Sequence, residues 1–281
     1  MEIIDSHVHI YPEFLKKERE KIAAREPWFD MLTSSRFHKW GASRELIEAM
    51  DASGIGRSFA TTFAFRDTAL CREMNDHLFE AAKNCGGRIV PLAVVSPASP
   101  DAVREAERAF DLGAAGIGEL FPDGQGFALD DARTLRALCE VCRERGKFIM
   151  FHTAEQAGHS YAGKGTSGAR EAAAFCRDFP LVRVVFAHFG GGLWAFSAMP
   201  EMKLLAANAY FDTAAWPWLY EPRVMDAVFA AGAGERILFG SDWPLLKFER
   251  YKEHIERTGL SSAEKAALLA GNAEKLLALC G

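Results

Sequence analysis

Asp5, Ser6, His7, Val8 and His9 set two imidazoles two residues apart, and on a strand residues i and i+2 project to one face. Neutral imidazoles so placed can hold one divalent cation, with zinc the first expectation and manganese an alternative. Alone, the pair is a weak signal that reads more readily as two ordinary polar residues. Its weight comes from what closes the other apolar runs: His152 after Phe148–Phe151, His188 after Val184, Val185, Phe186 and Ala187, and Asp242 after Ile237, Leu238, Phe239, Gly240 and Ser241. Four of the eight histidines and one carboxylate therefore end apolar runs, which packing alone does not require. Glu119, in Gly116, Ile117, Gly118, Glu119 and Leu120, adds a second carboxylate. An isolated buried carboxylate costs several kcal/mol, so Glu119 must be paired or ligated. Three roles are open to it: bridging two cations, hydrogen-bonding a ligand imidazole, or pairing with Arg66.

Elements of the right kind surround these residues. Short β-rich runs recur at 3–10, 58–65, 89–95, 115–120, 148–152, 182–188, 209–213 and 237–240. Amphipathic segments alternate with them at 43–52, 71–84, 100–112, 130–145, 168–178, 193–206, 221–231 and 262–279. Eight strands alternating with eight helices predict an α/β chain folded as a (β/α)8 TIM barrel, in which strand C-terminal ends form the active-site rim. Ser261 and Glu264 stand at capping-box spacing before the last helix, and Gly146 ends the fourth as a C-cap. An open doubly wound sheet is the rival, disfavoured because no Gly-rich phosphate loop follows the first strand. No linker divides the chain, so residues 1–281 read as one domain. The first strand-to-helix connection, 11–42, is oversized and carries Tyr11, Phe14, Trp28, Phe29, Phe37 and Trp40. It is expected to cover the active-site mouth, pack into its own small core, or do both.

His-x-His on the first strand, histidines closing the fifth and sixth, and Gly240, Ser241, Asp242, Trp243 and Pro244 after the eighth together resemble the amidohydrolase superfamily. The likeness is to its amidohydrolase-related branch of metal-dependent TIM-barrel hydrolases and decarboxylases. It extends over 3–279, including the closing segment from Leu269 to Leu276. It implies His7, His9, His152, His188 and Asp242 as metal ligands, whereas the glutamate-bearing fourth strand is more similar to TatD-type deoxyribonucleases, which use that glutamate as a ligand.

A cation held there lowers the pKa of a water from ~15.7 towards ~7, and Asp242, with His188, is expected to carry the proton. Hydrolysis of an ester, lactone or amide of a small organic substrate is the first expectation. Non-oxidative decarboxylation of an aromatic or unsaturated carboxylate is the alternative, with a TatD-like phosphoesterase or a non-catalytic metal-dependent binder behind it. Donor counting favours two cations, Glu119 bridging, with His152 and His188 on the second. Arg66 and His159 are candidates for touching substrate. Trp216, Trp218 and Trp243 either wall the mouth or pack against the long connection. For a substrate carboxylate the candidate cations are Arg66, Lys164 and Arg36.

A net charge of -5, from 33 Lys and Arg against 38 Asp and Glu, disfavours nucleic acid as a partner. No membrane span or basic-then-apolar leader is evident, and the six cysteines are too scattered for a disulfide scaffold. A cytoplasmic protein with reduced thiols is expected, Cys139 and Cys142 being helix-core residues. Assembly into a homo-oligomer is left open.

Overall fold

A computed structural model describes residues 2–280. Eight parallel strands, β1 (Ile3–His9), β2 (Ile55–Thr61), β3 (Ile89–Ala93), β4 (Gly116–Leu120), β5 (Phe148–Phe151), β6 (Arg183–Phe186), β7 (Ala209–Asp212) and β8 (Ile237–Leu238), pair in chain order. β8 is short, and the seam to β1 is completed by single bonds: Ser6 N donates to Phe239 O (2.7 Å), Asp242 N to His7 O (2.8 Å) and His9 N to Trp243 O (2.6 Å). The architecture is the expected (β/α)8 barrel.

Two layers of apolar side chains hold it. Ile4, Phe59, Leu92, Phe148, Met150, Val185 and Leu238 fill the barrel interior below the rim, joined by Ala273 and Leu276 of the closing helix. Outward-facing Ile117, Ile149, Phe151, Val184 and Phe186 pack on Leu135, Leu138, Cys139 and Phe175 of the surrounding helices. Each fully buried side chain of this size contributes roughly 1.5–3 kcal/mol. Cys139 and Cys142 are buried, and all six thiols are free.

Several boundaries differ from expectation, for local reasons. The second strand begins at Ile55, directly after Gly54 closes the preceding helix in the left-handed region (φ 71), and stops at Thr61. The apolar residues beyond it serve the long connection instead: Phe63 stacks on Tyr11, and Phe65 packs with Leu15 and Phe29. Pro200 divides the segment expected as one helix over 193–206 into Leu193–Ala198 and Pro200–Leu205. The last helix has its capping box at Ser261 and Glu264 but is interrupted by a wide turn over Ala267–Gly271. A helix over Phe248–Glu256 was not anticipated.

The connection over 11–42 contains three short helices, Glu13–Lys17, Arg19–Ala23 and Pro27–Thr33. Leu15, Ile22 and Phe29 form a core with Phe65, Leu70, Met74 and Val94. It also reaches across the rim: Glu26 accepts from Asp67 N (2.9 Å), Trp28 lies on Phe121, Phe37 meets Trp218 edge-on, and Lys39 Nζ donates to Leu245 O (2.9 Å).

Candidate metal centre

Backbone irregularities aim the ligand-type side chains. Ile4 points into the barrel, so strict alternation would turn His7 and His9 outward; a register shift between Asp5 and Val8 corrects this. A second shift, between Ile117 and Leu120, lets Glu119 turn inward while Ile117 packs outward. Gly118 is required there, because its φ of 136° is closed to side-chain-bearing residues and a Cβ there would run into the Met150 carbonyl. The Thr61 hydroxyl donates to Gly118 O and accepts from Glu119 N (2.8 Å), clamping that turn. Gly240 allows His7 to pass, since a Cβ there would lie 2.8 Å from His7 Cβ.

His188 (φ 55°) and Asp242 (φ 58°) both occupy the left-handed region. Such backbone costs of order 1–3 kcal/mol in a residue with a side chain and concentrates at functional sites. The kink ends β6 at Phe186, before the expected 188, and swings His188 inward.

Six side chains meet at the rim, none more than 15% exposed. In the first group His7 Nε2 lies 3.0 Å from His9 Nε2 and 3.9 Å from Asp242 Oδ1, and His9 Nε2 lies 3.3 Å from Asp242 Oδ1. In the second, Glu119 Oε1 is 3.0 Å from His152 Nδ1 and 3.5 Å from His188 Nε2. The other oxygen of Glu119, Oε2, faces the first group, 3.5 Å from His7 Nε2 and 3.6 Å from His9 Nε2. Metal–nitrogen bonds of ~2.0–2.1 Å in a tetrahedron put ligand atoms about 3.3 Å apart, so the spacing within each group suits a cation.

Hydrogen bonds fix which imidazole nitrogens face inward. His7 Nδ1–H donates to Asp212 Oδ2 (2.8 Å), leaving Nε2 free; His188 Nδ1–H donates to Ala214 O (3.0 Å); and His152 Nε2–H donates to Lys164 O (3.2 Å), which presents Nδ1. Asp212 is wholly buried and also accepts from His188 N (2.9 Å), so one carboxylate orients a ligand in each group. His9 departs from this pattern: its buried Nδ1 has no partner, and the ring is steadied by stacking on Tyr11.

The charges are mutually sustaining. Burial opposes ionisation of Asp242, but the His9 hydrogen bond and the charges of His7, His9 and His188 outweigh it and hold the carboxyl at about 2. Glu119 is held well below the usual range in the same way, by His7 and His152 against burial. Burial likewise opposes protonation of His188, yet Glu119 and the charges of Asp242 and Asp212 raise it to about 9.

Of the remaining candidates, none joins this cluster. Arg66 is exposed and donates from Nε to Gly124 O (2.9 Å), so Glu119 pairs with histidines rather than with it. His159 is exposed in its loop beside Tyr161. Trp216, expected at the mouth, is fully buried against Phe189 and His254, because the chain turns inward at Ala215 (φ 59°). Trp243 is half-buried beneath Gly41, packing on the long connection rather than walling the mouth. The sequence reading missed Asp212 and Thr61, although Asp212 carried a usable signal: it is a carboxylate closing an apolar strand, as Asp242 is.

Among known proteins, the model of a family described as Amidohydrolase matches residues 4–279. No curated protein matches the chain. Solved structures similar over its length include 2,6-dihydroxybenzoate decarboxylase from Rhizobium, with TM-score 0.75, 18% identity and 100% of both chains covered. Another is 5-carboxyvanillate decarboxylase from Novosphingobium aromaticivorans with manganese and 4-hydroxy-3-methoxy-5-nitrobenzoic acid, with TM-score 0.75, 17% identity, and 99% of this chain and 96% of that one covered. A dihydroxybenzoic acid decarboxylase from Polaromonas with manganese and the inhibitor 2-nitroresorcinol gives TM-score 0.73, 18% identity and coverage of 99% and 97%. At such identities the likeness shows the fold.

Proposed function

This chain belongs to the amidohydrolase family, and we propose that within it the protein is a divalent-metal-dependent decarboxylase of an aromatic or unsaturated carboxylic acid. The observation that carries this reading is the end-to-end match of its barrel to decarboxylases of hydroxylated aromatic acids, two of them holding manganese. Manganese is accordingly preferred to zinc, and a lyase to the hydrolase first expected.

His7, His9 and Asp242 would hold the cation, with Glu119, His152 and His188 as the second donor group. When bound, it supplies Lewis acidity, drawing electron density from a substrate oxygen. Asp242 stands ionised at rest, takes up a proton from solvent and delivers it to the reacting carbon. As the bond from that carbon to the carboxylate breaks, carbon dioxide leaves and the bonding pair captures the proton as a new C–H bond. No oxidant or reductant is needed. Tyr11 beside His9 and Phe121 at 4.3 Å from His152 give the cage apolar neighbours suited to a planar ring. A panel of hydroxylated benzoates, lactones, esters and phosphodiesters tests the reading. Turnover is expected on the benzoates, whereas turnover confined to the lactones or esters would return the protein to the hydrolases.

That second reading is favoured by one observation. Glu119 divides its oxygens between the two donor groups, as a carboxylate bridging two cations does, and paired cations suit an in-line hydrolytic displacement. On that second reading, titration of metal-free protein with manganese would show two equivalents in the parent and one in Glu119→Gln. A single equivalent in both would make Glu119 a hydrogen-bond partner of His152 and remove the ground for hydrolysis.

A further inference from the structure

A decarboxylase of this kind needs something to hold its substrate's ring substituents, and the cations first considered are engaged elsewhere. Arg66 Nε donates to Gly124 O, Lys164 Nζ donates to the carbonyls of Ala157 (2.7 Å) and His159 (3.0 Å), and the Arg36 guanidinium lies 4.7 Å above the Phe37 ring. One unpartnered neutral group lies a ring beyond the cage, across Tyr11. His38, from the long connection, has a buried Nε2 with no hydrogen-bond partner. Its ring is fixed edge-on against Trp40 (4.5 Å, 85°) and lies 5.9 Å from both Tyr11 and Phe63; Tyr11 in turn stacks on His9.

Burial, with the nearby charges of His9 and Arg19, lowers the His38 pKa to about 4, so at neutral pH it is an uncharged imidazole. A buried polar nitrogen left unpaired is destabilising, a cost that a ligand atom supplying the missing bond removes. A neutral donor suits a neutral or weakly charged oxygen better than a full carboxylate, which the metal cage itself would take.

We infer, on the footing of the decarboxylase reading, that His38 is a substrate-binding residue whose Nε2–H donates a hydrogen bond to a ring hydroxyl oxygen of the aromatic acid. Tyr11, Trp40 and Phe63 hold the imidazole for that contact. The long connection thereby sets specificity as well as covering the mouth: an acid bearing a hydroxyl next to its carboxylate is preferred to one without it.

Titration calorimetry on the manganese-loaded protein, with 2,6-dihydroxybenzoate and benzoate as probes, tests this without turnover. The parent is expected to bind the dihydroxy acid. His38→Phe is expected to bind it about tenfold more weakly with benzoate affinity and manganese content unchanged, and His38→Gln, which keeps an N–H donor, to recover most of the loss. If His38→Phe binds both probes as the parent does, or weakens both equally, His38 is not the hydroxyl's partner and the decarboxylase reading stands. If the folded, metal-loaded parent binds neither acid, both fall together.

Discussion

Asp242→Asn is expected to keep most of its metal yet lose at least about 10²-fold in turnover, the low end of what a positioned proton-transfer group contributes. The amide preserves an oxygen where Asp242 Oδ1 lies 3.3 Å from His9 Nε2, and the backbone bond from Asp242 N to His7 O does not depend on the side chain. What it removes is the carboxylate, held ionised at about 2, that can accept a proton. Turnover measured beside elemental analysis separates two roles. Near-normal turnover would take Asp242 out of the mechanism, and metal loss in step with activity would make it chiefly a ligand.

The His7→Ala, His9→Ala double variant should lose the metal of the first donor group, and turnover with it. Both Nε2 atoms face the same point, and the Asp212 carboxylate orients His7 towards it. Removing them leaves Asp242 as that group's remaining donor, too few for a site that needs three protein ligands. Elemental analysis checks this, with circular dichroism to establish folding, because His7 is wholly buried and its truncation leaves a cavity. Full metal content in a folded variant would place the site elsewhere.

Strand order and the rim position of His7, His9, Glu119, His152, His188 and Asp242 could be read along the chain because a barrel turns a local pattern into a global one: each apolar run delivers its last residues to the same rim. The sequence pattern was blind to phase. Strict alternation from Ile4 would have pointed His7 the wrong way, and only the register shift, invisible in residue types, restores it. Asp212 stands as one polar residue at the end of a short run, yet it orients ligands in both groups. His38 was beyond reach for another reason. It lies in a charged connection without periodicity, and its place a ring beyond the cage is set by tertiary packing on Tyr11, Trp40 and Phe63. Trp216 failed in the opposite sense, since an aromatic residue after a strand looks like a wall of the mouth until the turn at Ala215 buries it.

Release of labelled carbon dioxide tests the account most directly. Hydroxybenzoates carrying ¹³C in the carboxyl group, incubated with the manganese-loaded protein, are expected to yield ¹³C carbon dioxide and the matching phenol in equal amounts. The release should stop on chelation and return when manganese is restored. Sustained release from chelated, metal-free protein would contradict the metal cage, and no release from any hydroxybenzoate by the fully loaded protein, alongside turnover of a lactone or ester, would contradict decarboxylation.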